Sequence, residues 1–84
     1  MTPDVISVKA MSDYLIEATF ADGEVRRFNM KPYLRFPAFA ALQQDELFMR
    51  AHILNGTVVW TEEIDISPDT LYLQGEPVIE FGKL

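Results

Sequence analysis

Grouped carboxylates near the middle of the second half of the chain are the first candidates for chemistry. Glu62, Glu63 and Asp65 lie close together in sequence and could bind a hard cation. The segment lacks the glycine and the Asp/Asn spacing of a calcium-binding loop, so three solvated side chains are the simpler interpretation. A small-ligand-binding domain or an enzyme that uses these carboxylates is the alternative hypothesis.

Nucleophiles and metal ligands are scarce elsewhere. His52 is the single histidine and the chain has no cysteine, which excludes paired-histidine mechanisms, thiolate metal sites and disulfides. We expect His52 to be a half-exposed strand residue, with a ligand or a pH-sensitive contact as the less favoured alternative. Ser67 lies in no Gly-x-Ser-x-Gly turn, and Pro68 and Asp69 after it indicate a helix cap instead. The sequence therefore predicts no catalytic residues, no cofactor and no metal site, and a protein that is not an enzyme.

The charge balance bears on the class of partner. Thirteen acidic residues against seven basic ones give a net charge of −6. Nucleic-acid binding depends on Lys and Arg displacing counterions from phosphates, so we expect no nucleic-acid binding by this chain alone. A basic protein partner fits the charge better. Trp60 and Tyr72 are interpreted as core or core-edge residues, with an exposed recognition patch as the less favoured reading.

Alternating apolar residues predict three strands at residues 5–10, 14–20 and 25–30. In the first, Ile6, Val8 and Ala10 should share one face. A two-residue loop at Asp22-Gly23 would separate the apolar residues of the next two strands. A three-residue loop with Gly23 left-handed gathers them, setting Ile16 opposite Phe28 and Glu17 opposite Arg27. The second register is predicted.

Shorter elements follow. Residues 29–34 and 36–42 are expected to form broken helical turns, because Pro37 disfavours helix at Phe36. Asp45 is predicted to cap a helix over 46–50, and Asn55-Gly56 to close a second hairpin. After Trp60 come an acidic turn, a short extended piece and a helix capped by Ser67. The fold class is thus α+β: a small antiparallel β-sheet (meander plus hairpin) with short helices packed on one face.

Length and hydropathy indicate a single domain over residues 1–84. No internal linker divides the chain, no apolar stretch is long enough to cross a membrane, and no basic-then-apolar leader opens it. A soluble bacterial protein of the cytoplasm is expected, with no membrane partner.

Several segments together resemble a bacterial family known as domain of unknown function 2442: VISVK at 5–9, FADGEVRRF at 20–28, PYL at 32–34, Phe48, and the run from Trp60 to Tyr72. The resemblance covers about residues 4–73. It implies a compact α+β domain with an antiparallel sheet. Some similar proteins carry an appended helix-turn-helix, for which this chain is too short. Others look like one half of a two-gene pair of toxin–antitoxin type, and for these a neighbouring gene would supply the partner. The family carries no established catalytic residues, so none are transferred.

The tail at 74–84 is unusually apolar. Val78, Ile79 and Phe81 predict either an edge strand on the chain's own sheet or contact with a second chain in a homodimer, and both alternatives stay open. A non-catalytic protein-interaction module is the favoured function. The candidate partner-binding residues are Trp60, Glu62, Glu63, Asp65, Tyr72, Val78, Ile79 and Phe81.

Overall fold

Two small antiparallel sheets and two short helices make up the fold in a computed structural model, which describes residues 2–78. The strands are β1 (Val5–Met11), β2 (Leu15–Phe20), β3 (Val25–Asn29), β4 (His52–Leu54), β5 (Thr57–Thr61), β6 (Ile64–Ile66) and β7 (Glu76–Pro77). The helices are α1 (Asp45–Phe48) and α2 (Pro68–Gln74), with 3-10 turns at Ser12–Tyr14, Lys31–Tyr33 and Pro37–Gln43. One sheet has the order β1-β2-β3-β7 and the other β4-β5-β6. The predicted α+β class is confirmed.

The first hairpin has the predicted register. Ile16 lies opposite Phe28 and Glu17 opposite Arg27. Gly23 has a φ of +90°, a conformation that costs glycine little, and its N–H donates to the Phe20 carbonyl at 2.9 Å. Ile16 and Phe28 are buried in the core, while Arg27 and Glu17 form an ion pair at 2.9 Å on the opposite face.

The faces of β1 were predicted wrongly at its start. Val5 lies opposite Phe20 and Ser7 opposite Thr19, so Ile6 is an extra residue with no cross-strand partner. Such a bulge interrupts the alternation of a strand. Val5 is consequently buried, and Ile6 is 61% exposed instead of sharing a core face with Val8 and Ala10.

The second hairpin also follows the predicted turn. Asn55 and Gly56 have φ values of +52° and +78°, and Ile53 pairs with Val58. The chain continues from β5 through the Glu62-Glu63 turn into β6, which pairs back onto β5. The short extended piece expected after Trp60 is therefore the third strand of a separate sheet.

Of the two predicted helix caps, one is confirmed and the other is wrong. The Ser67 side chain accepts a hydrogen bond from the Thr70 N–H at 3.3 Å, which confirms the predicted cap of α2. The predicted Asp45 cap is wrong, because Asp45 is already inside α1 and the cap position is held by Gln44 without a side-chain bond. An acidic residue still suits the first turn of a helix, where it faces unpaired N–H groups.

One apolar core joins the two sheets to the helical segments. The fully buried side chains come from every layer of the fold: Val5, Ile16, Phe20, Met30, Leu42, Phe48, Val58 and Leu71. Within residues 2–78 no polar or charged side chain is buried. The opposite face of the four-stranded sheet carries charged and mixed side chains and is solvent-exposed.

Candidate interaction surfaces

Two strands from different sheets meet along a seam. β1 and β4 contact each other, and the Val5 N–H donates to the Gly56 carbonyl at 3.0 Å at one end of the contact. Ile6 and Leu54 lie near this end and are 61% and 55% exposed. The bulge in β1 is the reason that Ile6 points outwards.

Two methionines lie at the other end of the seam. Met11 ends β1 and Met49 follows α1 just before β4, and both line an open groove with Tyr14 and the polar residues Ser12, Asp13 and Asp45. Met49 is 54% exposed. Ile6, Met11, Met49 and Leu54 are hereafter the seam surface. The sequence pattern does not indicate this surface, because alternation alone places Ile6 in the core.

The three candidate carboxylates do not converge. Glu62 and Glu63 are exposed in the β5–β6 turn, whose geometry is held by the Glu63 N–H donating to the Thr61 hydroxyl at 3.1 Å. Asp65 is exposed between the buried Ile64 and Ile66. In the part of the chain that the structure describes, no three acidic, histidine or cysteine side chains are grouped as metal ligands would be.

Trp60 belongs to the core and offers no exposed patch. It is 4% exposed, and its indole N–H donates to the Phe48 carbonyl at 2.8 Å. The Trp60 and Phe48 rings stack with their centroids 6.0 Å apart. The core interpretation of Trp60 is correct. Its burial argues against including it among the partner-binding candidates.

Tyr72 joins α2 to the first hairpin. Its hydroxyl donates to Asp22 Oδ2 at 2.7 Å, and its ring packs edge-to-face on Phe20. Arg26 lies on the core face of β3, its guanidinium 4.6 Å from the centre of the Tyr72 ring, and donates to the Tyr72 carbonyl and to Glu24. Tyr72 is thus a half-buried residue committed to contacts within its own chain.

Hydrogen bonds between α2 and the first hairpin shift the pKa values of Asp22 and Tyr72. The Glu24 N–H and then the Tyr72 hydroxyl hold the pKa of Asp22 below its ordinary value of 3.8. The same Asp22 bond raises the pKa of Tyr72 above 10.0, because the hydroxyl proton is shared with a carboxylate. Asp22 therefore stays ionised and Tyr72 protonated at neutral pH.

The described start of the tail folds back on its own chain. Glu76 and Pro77 pair with β3, and the Val78 N–H donates to the Val25 carbonyl at 2.9 Å. Ile79 and Phe81 lie outside the described residues. The described candidates are divided between elements, with Tyr72 and Val78 beside β3 and the three carboxylates at β6.

No helix within residues 2–78 is long and apolar enough to cross a membrane. No curated protein matches the chain. A crystal structure of a protein from Nitrosomonas europaea ATCC 19718, named a "Putative DNA Binding Protein", is similar, with 30% sequence identity and a TM-score of 0.73. The similarity covers 83% of this chain and 46% of that one, so this chain spans less than half of that protein. Residues 5–77 match the family model described as "Protein of unknown function (DUF2442)", and the chain belongs to this family.

Proposed function

We propose that this chain is a non-catalytic protein-interaction module that binds its partner through the seam surface. The observation that supports this best is the outward position of Ile6 beside β4, where Leu54 is also exposed. Scattered apolar residues are normal on protein surfaces, but apolar residues on two contacting strands offer a partner a common contact area. Burial of one such side chain in an interface contributes about 1.5–3 kcal/mol.

The partner is expected to carry net positive charge. The chain has a net charge of −6, and long-range attraction between opposite charges speeds association. We propose that this partner is the product of a neighbouring gene, which would make the chain one half of a toxin–antitoxin-like pair. Binding should accordingly weaken as ionic strength rises, because salt screens exposed charges.

Polar substitutions at the seam surface test the proposal. Ile6→Ser and Leu54→Ser should each weaken binding to the neighbouring gene product by about tenfold, measured by calorimetry, because each removes apolar contact area. Leu73→Ser is the matched control, since Leu73 is 75% exposed on α2 rather than at the seam. Equal effects of all three substitutions, or no effect at the seam, would refute this interface.

The name of the similar Nitrosomonas europaea protein raises the separate question of DNA binding. More than half of that protein has no counterpart in this chain. We propose that this chain alone does not bind nucleic acid, because its net charge of −6 repels phosphates. An electrophoretic mobility assay with duplex DNA at low salt should give no shift, and a salt-sensitive shift would contradict the proposal.

Cation or small-ligand binding by Glu62, Glu63 and Asp65 is the alternative that we do not favour, because these exposed side chains are not grouped as metal ligands would be within residues 2–78. Titration of Mg²⁺ or Ca²⁺ followed by NMR distinguishes it. Saturable shifts confined to these three residues, and lost in Glu62→Gln, would support this candidate over the interaction module.

A further inference from the structure

A row of alternating charges crosses the four-stranded sheet on the face opposite the core, here called the outer face. Lys9 pairs with Glu17, Glu17 with Arg27, and Arg27 with Glu76, each directly opposite its neighbour. The order from β1 to β7 is therefore plus, minus, plus, minus. Each neighbouring pair is of opposite charge, and the central Glu17–Arg27 pair is an ion pair at 2.9 Å.

Polar and apolar side chains border the charge row on both sides. The strand registers place Ser7, Thr19, Val25 and Val78 on one side of it, and Met11, Leu15 and Asn29 on the other. None of these side chains is buried. The outer face is thus a solvent-facing sheet surface in which the charge row is flanked by a mixture of polar and apolar side chains.

We propose that the outer face binds the outer face of a second copy of this chain about a two-fold axis parallel to the strands. Rotation about that axis reverses the order of the strands but keeps each position along them. It places Lys9 of one copy over Glu76 of the other, and Glu17 over Arg27. All four contacts across the interface then join opposite charges, so the charge row is self-complementary as a two-fold interface requires.

A two-fold axis perpendicular to the strands would be unfavourable because of the same charge row. An axis perpendicular to the strands places each residue over its own copy, which sets Lys9 over Lys9 and Glu76 over Glu76. Four like-charge contacts in an interface are strongly unfavourable. The charge order therefore favours the axis parallel to the strands over the axis perpendicular to them.

The dimensions of the face indicate weak association. Four strands about 4.8 Å apart make a row about 14 Å wide, and facing sheets pack about 10 Å apart with their strands nearly aligned. The surface that one copy of this face can bury on another is at or below the lower end of the areas found in specific interfaces. Met11 belongs to both the outer face and the seam surface, but none of the four charged residues of the row belongs to the seam surface. A test that changes only the charge row is therefore independent of the proposed function.

Charge reversal tests the pairing directly. Lys9→Glu and Glu76→Lys should each weaken dimerisation at least about tenfold in sedimentation equilibrium, because each creates two like-charge contacts. The double variant Lys9→Glu/Glu76→Lys should restore dimerisation, since both contacts become opposite again. Lys31→Glu and Glu63→Lys make the same charge changes on exposed residues outside the face and should have no effect. Circular dichroism confirms that each variant is folded.

Cross-linking provides a second readout on the unaltered protein. A zero-length carbodiimide should join the Lys9 amine to the Glu76 carboxyl between copies. Within one chain these residues occupy opposite edge strands about 14 Å apart, too far for a direct amide bond. A Lys9–Glu76 cross-link in a covalent dimer supports the proposal. A protein that is monomeric at millimolar concentration, or a double variant that stays monomeric while the unaltered protein dimerises, would overturn it.

Discussion

Replacement of Trp60 by phenylalanine should destabilise the fold without a direct effect on partner binding. The Trp60 indole N–H donates to the Phe48 carbonyl at 2.8 Å, and this bond ties the end of α1 to β5. Phenylalanine keeps an aromatic ring in the site but cannot donate. The Phe48 carbonyl would then be left without a partner among buried side chains.

Two terms set the expected loss of unfolding free energy. An unsatisfied buried carbonyl costs about 1–3 kcal/mol. The smaller ring leaves about 40 Å³ unfilled, which at about 24 cal/mol per Å³ adds roughly 1 kcal/mol. The total is about 2–4 kcal/mol, a large share of the roughly 4–13 kcal/mol typical of an 84-residue domain.

Urea unfolding followed by far-ultraviolet circular dichroism measures this loss without relying on tryptophan fluorescence. Tyr33→Phe is the matched control, because it removes an aromatic donor whose bond to Gln74 Oε1, at 3.0 Å, is exposed. That change should cost no more than about 1 kcal/mol. Equal losses in the two variants would refute the reasoning, as would a fully stable Trp60→Phe protein that no longer binds its partner.

Further substitutions test the Ser67 cap, the register of the first hairpin and the hydrogen bond between Tyr72 and Asp22. Ser67→Ala should lower the free energy of unfolding by about 1 kcal/mol in urea titrations, since the N-cap bond of α2 is lost. Phe28→Ala should cost about 2–5 kcal/mol and Arg27→Ala less than about 1 kcal/mol; comparable losses would contradict the observed sheet faces. In Tyr72→Phe the pKa of Asp22, followed by NMR, should rise but stay below 3.8, because the backbone N–H bond from the hairpin remains. Because the folded-state pKa of Asp22 is lowered, its stabilising contribution is complete above its unfolded pKa and is lost as pH falls through the folded value. Part of this acid sensitivity should disappear in Tyr72→Phe.

Local signals in the sequence were sufficient for the two hairpin turns and the Ser67 cap, but not for the start of α1, where the Asp45 cap was predicted wrongly. Asn55-Gly56 closes the second hairpin, Ser67 caps α2, and the alternation around Gly23 sets Ile16 opposite Phe28, all as predicted. Each of these features depends on residues near one another in the chain or on a face that must be wholly apolar. The fold class follows from their sum.

The candidate interaction surfaces required the tertiary structure. A pattern of alternation cannot reveal that β1 contains one extra residue, so the exposure of Ile6 was not foreseen. The partner of the Trp60 indole N–H is a carbonyl twelve residues earlier in the chain, and the charge row depends on the pairing of β7 with β3. The sequence by itself thus determined most of the strands, the two hairpin turns and the Ser67 cap, because those features depend on neighbouring residues. Only the tertiary structure decided which side chains face solvent together, because that depends on contacts between segments far apart in the chain.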